Sequence, residues 1–544
     1  HETKHSWFYR VTEGFFNALL RFYDVTLVWA LRHRLFVALM FFVVLGATGY
    51  LFMIIPKGFI PEQDTDQLSI VTEATQGTSY LQMAEYQKKA AAVVAQDPDV
   101  DSLVATVGGP SASALGGPNL GQMVVHLKPR KHREHLAGEI LIRVREQLEE
   151  IPGIRVYPQV PPTVRVGGQL TKSLYQFTMQ TPDKEELYEY TAKLEKDLAQ
   201  NPALRDVTSN LFIASPQVMV NIQRDRAASL QLNVQQVENA LYDAYGPRWV
   251  STIYSNVNEY KVLLEVLPEL QSDPNTLSKL YFKAGSGKLI PLDALAKLNM
   301  ETGPQAVSHY GQLPSATISF DVAPGYSLGH ASDEVALAAA RILPDTISTA
   351  FQGMAKAFQG SLTNLWVLLM IAIMVVYLVL GILYESYIHP LTILSGLPSA
   401  GFGALLTLYL LGMELNIYSF VGLIMLIGIV EKNAIMQIDF ALDAERQGTP
   451  AETAIYEGCL IRFRPIMMTT MAALLGAVPI AVGYGAGGEA RQPLGVCVVG
   501  GLLFSQLVTL YLTPVFYLYL GNVQRAWQAW RSRKRGAGEA VPVA

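Results

Sequence analysis

The sequence predicts a bundle of six membrane-spanning helices that carries one large α+β domain outside the membrane, between the first and second helices. Half of the 544 residues are hydrophobic and the mean hydropathy is positive, which is too apolar for an ordinary soluble protein. Six apolar runs reach the roughly 20 residues that a helix needs to cross the hydrocarbon. Between the first and second runs lies a long stretch in which short strand-like and helix-like patterns alternate.

The six predicted spans have well-separated bounds. They are residues 35–55, 362–383, 391–413, 417–440, 465–482 and 493–520. The first run begins after more than thirty residues and lacks a small-residue cleavage site, so we expect it to be an anchor and not a signal peptide. The chain begins with His1 instead of Met, which favours a piece of a longer protein over the alternative of an edited start.

The distribution of basic residues predicts the orientation. Five Lys or Arg precede the first span, three lie between Asp443 and Arg464, and five follow Gly521, whereas the short loops on the other side hold only Arg491. By the positive-inside rule both termini are cytoplasmic, with residues 56–361 on the opposite side. The final segment, 521–544, is a basic cytoplasmic tail.

Residues 1–34 have the pattern of an amphipathic helix on the cytoplasmic side. Polar and apolar side chains recur at three- and four-residue spacing on opposite faces. The polar set is Arg10, Glu13, Asn17, Arg21 and Asp24, and the apolar set is Phe8, Phe15, Leu19 and Phe22. A helix lying on membrane lipids fits this pattern. Packing against other protein is the alternative.

The outer domain reads as two β-α-β-β-α-β units, the second of them interrupted. The first unit covers 62–172, with strands near 67–73, 100–107, 122–127 and 154–159 and helices near 80–96 and 135–150. The second unit covers 173–215 and 314–358. Residues 216–313 would form an inserted subdomain with a helix and a hairpin.

A glycine-rich loop joins two strands of the first unit. Residues 108–121 read GGPSASALGGPNLG, a composition that cannot pack a core. Such a loop is either a flexible surface connection or a segment that gates a ligand, and the residues alone favour neither reading.

Charged residues within the predicted spans occur only in the fourth, where Glu431, Lys432 and Asp439 lie in GIVEKNAIMQIDFA. A charge at this depth costs several kcal/mol unless it is paired or hydrated. Asp439 is seven residues from Lys432, roughly 10 Å along the helix at 1.5 Å per residue, and Glu431 points about 100° aside. The geometry therefore predicts that the ammonium of Lys432 pairs with a carboxylate on helices outside this chain.

The fifth span begins IRFRPIMMTT. This places Arg462 and Arg464 at its cytoplasmic mouth, with Pro465 in a favourable first-turn position. Arg462 and Thr469 are seven residues apart and share a face, so Arg462 is as suited to a proton route as to a flanking role. Arg464 is better explained as a flanking residue that reaches the interface, and Thr469 alone would usually bond its own helix.

Several classes of function are disfavoured. A net charge of −5 gives no basic face for nucleic acid. Cys459 and Cys497 read as small apolar residues, since no ligand spacing surrounds them. The outer methionines, Met123 among them, are scattered singly, as in core packing. No nucleophile-base pair or phosphate loop suggests an enzyme, and no cofactor is expected.

Three segments carry a resemblance to a known family. GIVEKNAIMQIDFA, RFRPIMMTTMAALLGAVPIAVGYGAGGEARQPLG and IPKGFIPEQDTDQLSI closely resemble efflux transporters of the resistance-nodulation-division (RND) superfamily, hydrophobe/amphiphile branch. The resemblance implies an α-helical membrane bundle of six transmembrane helices plus a periplasmic α+β domain. That domain would hold ferredoxin-like pore subdomains at 62–172 and at 173–215 with 314–358, and a docking subdomain at 216–313.

The resemblance also implies a mechanism. Lys432 would be the proton-relay lysine, with Asp439 in the same charged stretch, Arg462 near the cytoplasmic proton route and Thr469 as its companion. The chain would be the second half of each protomer of a homotrimer in the bacterial inner membrane. The missing N-terminal half would carry the Asp pair that contacts Lys432, so this chain alone should not pump.

A substrate path and docking partners follow from the same resemblance. The loop 108–121 matches a switch loop between binding pockets, and its expected residues are Gly108, Gly109, Gly116 and Gly117, followed by Met123. No Phe occurs between Phe59 and Phe177, which makes aromatic stacking of drugs doubtful on this side. A hairpin near Trp249 would face a periplasmic adaptor and an outer-membrane channel.

The leading functional prediction is proton-driven export of small hydrophobic or amphiphilic substrates from the periplasm or inner membrane. A heavy-metal exporter of the same superfamily is one alternative, although it would require clustered methionines. A membrane-anchored assembly subunit without transport is another.

Overall fold

The structure is a computed structural model that describes residues 7–108, 117–246, 248–271 and 273–536. The helices are α1 Trp7–Arg32, α2 Arg34–Ile54, α3 Tyr80–Val94, α4 Ala137–Glu149, α5 Lys184–Leu198, α6 Arg224–Ser229, α7 Val234–Tyr245, α8 Pro268–Gln271, α9 Leu328–Ile342, α10 Gly353–Tyr384, α11 His389–Leu394, α12 Leu397–Leu410, α13 Ile417–Arg446, α14 Ala451–Ala481 and α15 Gly488–Gly536.

The strands are short and lie between α2 and α10. They are β1 Gln67–Ala74, β2 Val100–Val107, β3 Leu120–Leu127, β4 Ile154–Gln159, β5 Tyr175–Gln180, β6 Leu204–Ser209, β7 Ser215–Ile222, β8 Arg248–Tyr254, β9 Glu259–Leu264, β10 Tyr281–Lys283, β11 Leu289–Pro291, β12 Ala296–Gly303, β13 His309–Tyr310, β14 Leu313–Val322 and β15 Ser348–Gln352.

Six helical segments of the described chain are long and apolar enough to cross a membrane. They are Arg34–Ile54, Gly353–Tyr384, His389–Leu410, Ile417–Arg446, Ala451–Ala481 and Gly488–Val523. The third consists of α11 and α12, since the helix is interrupted around Ser395 and Gly396. Each predicted span overlaps one of these segments, so the number and order of the apolar helices are as predicted.

The last helix, α15, packs against α12, α13 and α14. Its approach to α12 is close because glycines face each other there. A Cβ added at Gly403 would lie 2.6 Å from the carbonyl oxygen of Gly500 and 2.5 Å from Cβ of Phe504. Small residues allow this kind of backbone contact between membrane helices, where lipid gives no hydrophobic driving force for association.

The helix that contains the fifth predicted span begins well before Pro465. Helix α14 starts at Ala451, so Pro465 lies inside the helix and not in its first turn. Pro479 also lies inside this helix. The segment before Pro465 stays helical because its apolar side chains are buried: Ile455, Cys459 and Phe463 belong to one core with residues of α1 and α15. This packing outweighs the hydrogen bond that proline cannot donate.

Helix α1 packs against the bundle with one face. The ring of Tyr23 stacks on Phe463 with ring centroids 4.6 Å apart, and its hydroxyl donates to the Leu510 carbonyl oxygen at 2.9 Å. On the other side Phe22, Val25 and Trp29 are exposed. The helix therefore makes the protein contacts of the alternative prediction and also keeps an apolar face free for membrane lipids.

The first sheet unit consists of β1–β4 with α3 and α4. The strand order is β2-β3-β1-β4, with all pairings antiparallel. Alternate residues of the strands point towards the helices, so that Ile70, Met123 and Val144 are fully buried together. Ser79 begins α3 by accepting a hydrogen bond from the Gln82 amide.

The second sheet unit is interrupted in sequence. The strand order is β13-β14-β5-β15. Strand β13 pairs with the start of β14, and β6 pairs with residues 318–322 at its end. Helices α5 and α9 cover the sheet, and the core contains Phe177, Leu194, Phe320 and Val335. The chain between β6 and β13 forms the inserted unit.

The inserted unit has three two-stranded sheets, β7 with β12, β8 with β9, and β10 with β11. A small core around Leu232, Val237 and Leu292 joins the first and third of these pairs. The β8–β9 hairpin differs, because its large apolar residues are exposed. Trp249 is 62% exposed, and the Lys261 ammonium lies 3.8 Å above its ring.

Candidate functional site

The three charged residues that α13 carries within the predicted span, Glu431, Lys432 and Asp439, form no ion pair with each other. Lys432 is exposed, and it makes no ion pair or hydrogen bond within the part of the chain that the structure describes. Asp439 accepts a hydrogen bond from the Tyr384 hydroxyl of α10. Lys432 and Asp439 are therefore unpaired with each other, as helix geometry predicts. Asp439 is hydrogen-bonded by a neutral hydroxyl, and Lys432 forms an ion pair with no carboxylate of the described chain.

Glu431 is the third charged residue of this stretch and lies on a different face. It is 5% exposed, and its Oε1 has no hydrogen-bond partner among the described residues. A buried carboxylate without a donor is costly, so this position is one of the least satisfied in the bundle.

A polar network next to Lys432 was missed by the sequence analysis. The Asn433 side-chain amide donates to Thr470 Oγ1 and to Gln506 Oε1, at 3.1 Å each. Thr470 donates to the same Gln506 oxygen at 2.9 Å. All three side chains are buried, and they join α13, α14 and α15. The sequence did contain a signal for this network, because Asn433 and Gln506 are polar amide side chains within otherwise apolar runs.

Arg462 and Thr469 share a helix, but no hydrogen bond joins them in the structure. Thr469 donates to the Ile466 carbonyl oxygen of its own helix at 3.1 Å. The Arg462 guanidinium lies 5.8 Å from the centre of the Phe440 ring, and its Nε has no partner among the described residues. Arg464 lies 3.8 Å from Glu13 of α1.

The glycine-rich loop is described only at its two ends. Gly109 and Gly116 lie outside the described residues. Gly108 has φ +61°, and Gly117 has φ +141°, where a side chain would meet the Gln305 amide at 2.4 Å. Both are positions that favour glycine. Met123 is fully buried in the core of the first sheet unit and contributes packing.

An open cavity of about 470 Å³ lies between the two sheet units and the first turn of α15. Its wall includes residues 62–64, the first part of α4, the end of β4, the end of β14 and Glu489. The wall is mixed, with leucine, isoleucine and proline side chains beside several carboxylates. A concave apolar surface with a few polar groups is the usual form of a small-molecule site.

The carboxyl groups of this wall are held in unequal environments. Burial, with the nearby charge of Asp206, raises the pKa of Asp321 to about 7, although the Leu174 amide donates to it at 2.8 Å. Burial also raises the pKa of Glu62. In contrast, the Arg133 guanidinium holds the pKa of Asp64 down, against the effect of burial.

Two buried ion pairs lie in the sheet units, and Arg145 of the first pair also lines the cavity. Arg145 of α4 donates to both carboxylate oxygens of Asp206, at 2.8 and 2.6 Å. The Lys172 ammonium lies 2.6 Å from Glu73, which also accepts from the Tyr157 hydroxyl at 3.0 Å. The first pair joins the first sheet unit to the second.

Six apolar helices, a charged stretch within one of them and a cavity between the sheet units are the features of a polytopic membrane protein with a candidate small-molecule site. Among the described residues no group of three or more His, Cys, Asp or Glu could hold a metal ion.

Comparison with known proteins gives the family. The AcrB/AcrD/AcrF family matches residues 1–521, so the chain belongs to this family of RND transporters, as the three sequence motifs indicated. The chain is 40% identical to the multidrug resistance protein MdtC of Proteus mirabilis (strain HI4320) over 517 residues, 95% of the chain and 50% of that relative. It is 42% identical to MdtC of Yersinia pestis bv. Antiqua (strain Angola), over 94% of the chain and 50% of the relative.

The chain therefore spans about half the length of these relatives. Two crystal forms of a heavy metal efflux pump share its fold, each with a TM-score of 0.84 over 93% of the chain and 53% or 52% of the pump. They are 23% identical in sequence, which supports the fold alone.

Proposed function

We propose that this chain is part of a proton-driven RND efflux pump of the bacterial inner membrane that exports hydrophobic or amphiphilic compounds from the periplasm or the membrane. The observation that carries the proposal is Lys432, an ammonium within a predicted span that lacks a carboxylate partner in the described chain. Intramembrane charges of this kind usually mark ion or proton pathways. The multidrug resistance proteins among the relatives favour drug-like substrates.

The partner of Lys432 would come from helices outside this chain. The N-terminal half with its Asp pair stays a prediction, as does assembly into a homotrimer with cytoplasmic termini and a periplasmic outer domain. The exposed side of Lys432 on α13 supports a contact with another helix. Protonation of the Asp pair would free Lys432 to change partner and let the helices move between two arrangements.

The other relay residues would act around this exchange. Asp439, bonded by Tyr384, would fix the cytoplasmic end of α13 against α10. Arg462 and Thr469 would line a water-filled route from the cytoplasm. In support, neither makes a hydrogen bond to a different helix of the described chain, so both side chains could rearrange without breaking one.

The two sheet units would be the ferredoxin-like pore subdomains. The antiparallel order β2-β3-β1-β4 with two helices supports this for the first unit. Substrate would enter through the cavity between the units, and the loop 108–121, with Gly108, Gly109, Gly116 and Gly117, would switch between pockets. The β8–β9 hairpin with exposed Trp249 would contact the periplasmic adaptor or the outer-membrane channel.

A heavy-metal exporter is the second candidate, because a heavy metal efflux pump shares the fold. Soft metal ions are bound by cysteine, methionine or histidine side chains. The described wall of the cavity contains none of these residue types, which favours organic substrates.

The test is accumulation of a fluorescent drug in cells that carry the whole pump and lack other pumps. Lys432→Ala should abolish efflux while the pump is still present in the membrane. Lys288→Ala, an exposed lysine of the inserted unit, is the matched control and should leave efflux intact. Full efflux by Lys432→Ala would overturn the proposed role of this residue.

A further inference from the structure

We propose that Glu431 of α13 is a proton-binding site within the membrane, neutral while Lys432 pairs outside this chain and ionised when Lys432 turns towards it. The proposal rests on the proposed function, because it adds a titratable group to the exchange of Lys432. The relay residues that the family resemblance implies are Lys432, Asp439, Arg462 and Thr469, and Glu431 is not one of them. Its assignment comes from its depth, its burial and its surroundings in the described chain.

Glu431 lies deep within its span. It is fourteen residues after Ile417, the first residue of α13, which is about 21 Å along the helix at 1.5 Å per residue. The hydrocarbon core of a membrane is about 30 Å thick, so the predicted span 417–440 places this carboxyl within it. Ionisable side chains at such a depth usually serve the movement of ions or protons.

The side chain of Glu431 is enclosed by its own chain. Glu431 is 5% exposed and lies seven residues before Ile438, so the two share a face of α13 to within about 20°. Ile438 is fully buried in a core that also contains Leu380 of α10 and Ile393 of α11. Lys432 points about 100° aside and is exposed. Helices outside this chain can therefore reach Lys432, whereas Glu431 faces the bundle of this chain.

No charged residue of the described chain neutralises Glu431. Its Oε1 is inaccessible to solvent and has no hydrogen-bond partner, and neither oxygen lies within 4.0 Å of a basic group among the described residues. Helix α14 brings Arg462 beside α13 at Phe440, nine residues beyond Glu431. Helix α10 brings Tyr384 to Asp439, eight residues beyond it. Both contacts are more than two helical turns away.

The neighbouring spans supply no other countercharge. By sequence, Lys432 is the one basic side chain within the six predicted spans, and the five spans other than the fourth contain no Asp or Glu. The titratable side chains of the surrounding spans ordinarily ionise above neutral pH. They are Tyr377, Tyr409, Cys497, Tyr511, Tyr517 and Tyr519. An ionised Glu431 would therefore depend on Lys432 for its countercharge.

Burial decides the charge of Glu431 in the described arrangement, in which Lys432 forms no ion pair. An isolated ionised carboxylate in a low-dielectric interior costs so much solvation free energy that the group binds a proton instead. The neutral acid loses far less on burial. The carboxyl therefore holds a proton while Lys432 points away from it.

Lys432 changes this balance because it is the next residue. The two Cα atoms are about 3.8 Å apart across the peptide, and the flexible stem of lysine lets the ammonium turn towards Glu431. An opposite charge at close range favours the ionised carboxylate. The O–H bond of the acid then breaks, its electron pair stays on the carboxylate, and the proton passes to water. When Lys432 leaves, Glu431 takes one proton back from water.

Infrared spectroscopy of the whole pump in lipid nanodiscs, without drug, tests the proposal independently of transport. The carbonyl band of a neutral carboxylic acid is resolved from the bands of ionised carboxylates. We expect the wild-type spectrum minus that of Glu431→Gln to contain the neutral-acid band at pH 7. Glu457→Gln, at an exposed glutamate of α14 ahead of the predicted span, is the matched control. Its difference spectrum should contain ionised carboxylate bands and no neutral-acid band.

The pH at which the neutral-acid band disappears reports the coupling to Lys432. In Lys432→Ala the carboxylate loses its countercharge, so the band should persist to a pH about one unit higher, a tenfold change in proton affinity. A permanently neutral acid with a purely structural role would show no such shift. If Glu431→Gln does not fold, Glu431→Asp replaces it, and its band should move in frequency while the dependence on Lys432 remains.

Drug-dependent proton flux in proteoliposomes gives a second readout. Glu431→Gln should lose most of this flux, and Glu431→Asp should restore part of it. An ionised Glu431 band at pH 7, equal titration in the wild type and Lys432→Ala, or a flux of wild-type size in Glu431→Gln would each overturn the proposal. Failure of the proposed function is distinct, because the infrared results would stand while the wild-type pump showed no drug-dependent flux.

Discussion

Arg145 Nη2 lies 2.6 Å from Asp206 Oδ2, and this ion pair ties helix α4 of the first sheet unit to strand β6 of the second. Both side chains are nearly inaccessible, at 5% and 11% exposure. Asp206 also holds a left-handed backbone, with φ 53°, which is uncommon for a residue other than glycine and shows that the surrounding contacts fix it. Arg145 also lines the cavity, so the pair links the cavity wall to the contact between the two units.

Removal of one partner of this pair should be strongly destabilising. Arg145→Ala leaves the Asp206 carboxylate buried without its cation, which typically costs about 3–5 kcal/mol. We expect a clear fall in the thermal unfolding temperature of the purified protein in detergent. Arg341→Ala, which breaks the exposed pair with Asp197, is the control and should cost less than about 1 kcal/mol. Equal effects of the two variants would contradict the structural role of Arg145.

The crossing of α12 and α15 should be intolerant of a methyl group at Gly403. Gly403→Ala places a Cβ 2.6 Å from the Gly500 carbonyl oxygen, so one helix must shift. Gly428→Ala is the matched control on α13, where a Cβ meets no atom within 4 Å and alanine is the better helix former. Unfolding in detergent should show a lower transition temperature for Gly403→Ala and an unchanged or higher one for Gly428→Ala. A stable Gly403→Ala protein would argue against the close crossing.

Two adjacent threonines of α14 should separate stability from transport. Thr470→Val removes the hydroxyl that Asn433 and Gln506 share, and leaving these buried groups unsatisfied should cost about 1–3 kcal/mol. Thr469→Val loses a bond only to its own helix, so its unfolding temperature should change little. If Thr469 belongs to the proton route, this second variant should instead reduce drug efflux. Efflux and the unfolding temperature are measured on both variants. The assignment would be reversed if Thr470→Val reduced only efflux and Thr469→Val lowered only the unfolding temperature.

The stability of the outer domain should depend on the ionisation of Asp321. Its pKa in the folded protein is about 7 against an ordinary value of 3.8, so the folded state keeps the proton to higher pH. This contributes stability that is complete below about pH 4 and is lost as the pH rises towards 7. Asp321→Asn removes this dependence. The unfolding temperature of the variant minus that of the wild type should therefore increase from pH 4 to pH 8, whereas a constant difference would contradict the raised pKa.

The sequence allowed the spans to be predicted because hydropathy over about 20 residues is a strong signal. The start of the fifth helix was predicted wrongly, since a proline at a hydrophobic boundary resembles a first turn, and only the packing of Ile455 and Cys459 against other helices keeps the preceding segment helical. Helix periodicity alone was enough to predict that Lys432 and Asp439 do not pair, and the structure agrees.

The sites that depend on contacts between distant segments were harder to predict. Thr470 lies 37 residues after Asn433 in the sequence, and Gln506 lies 73 residues after it. No local sequence pattern links the three. The cavity likewise combines Glu62, Asp321 and Glu489 from three separate parts of the chain.

Proton flux in proteoliposomes tests the central claim most directly. The whole pump is reconstituted with a pH-sensitive dye inside the vesicles, and proton movement is recorded when a drug is added under an imposed pH gradient. The account predicts a drug-dependent proton flux for the wild type and for Lys288→Ala, and none for Lys432→Ala. A drug-dependent flux of wild-type size in Lys432→Ala would contradict it.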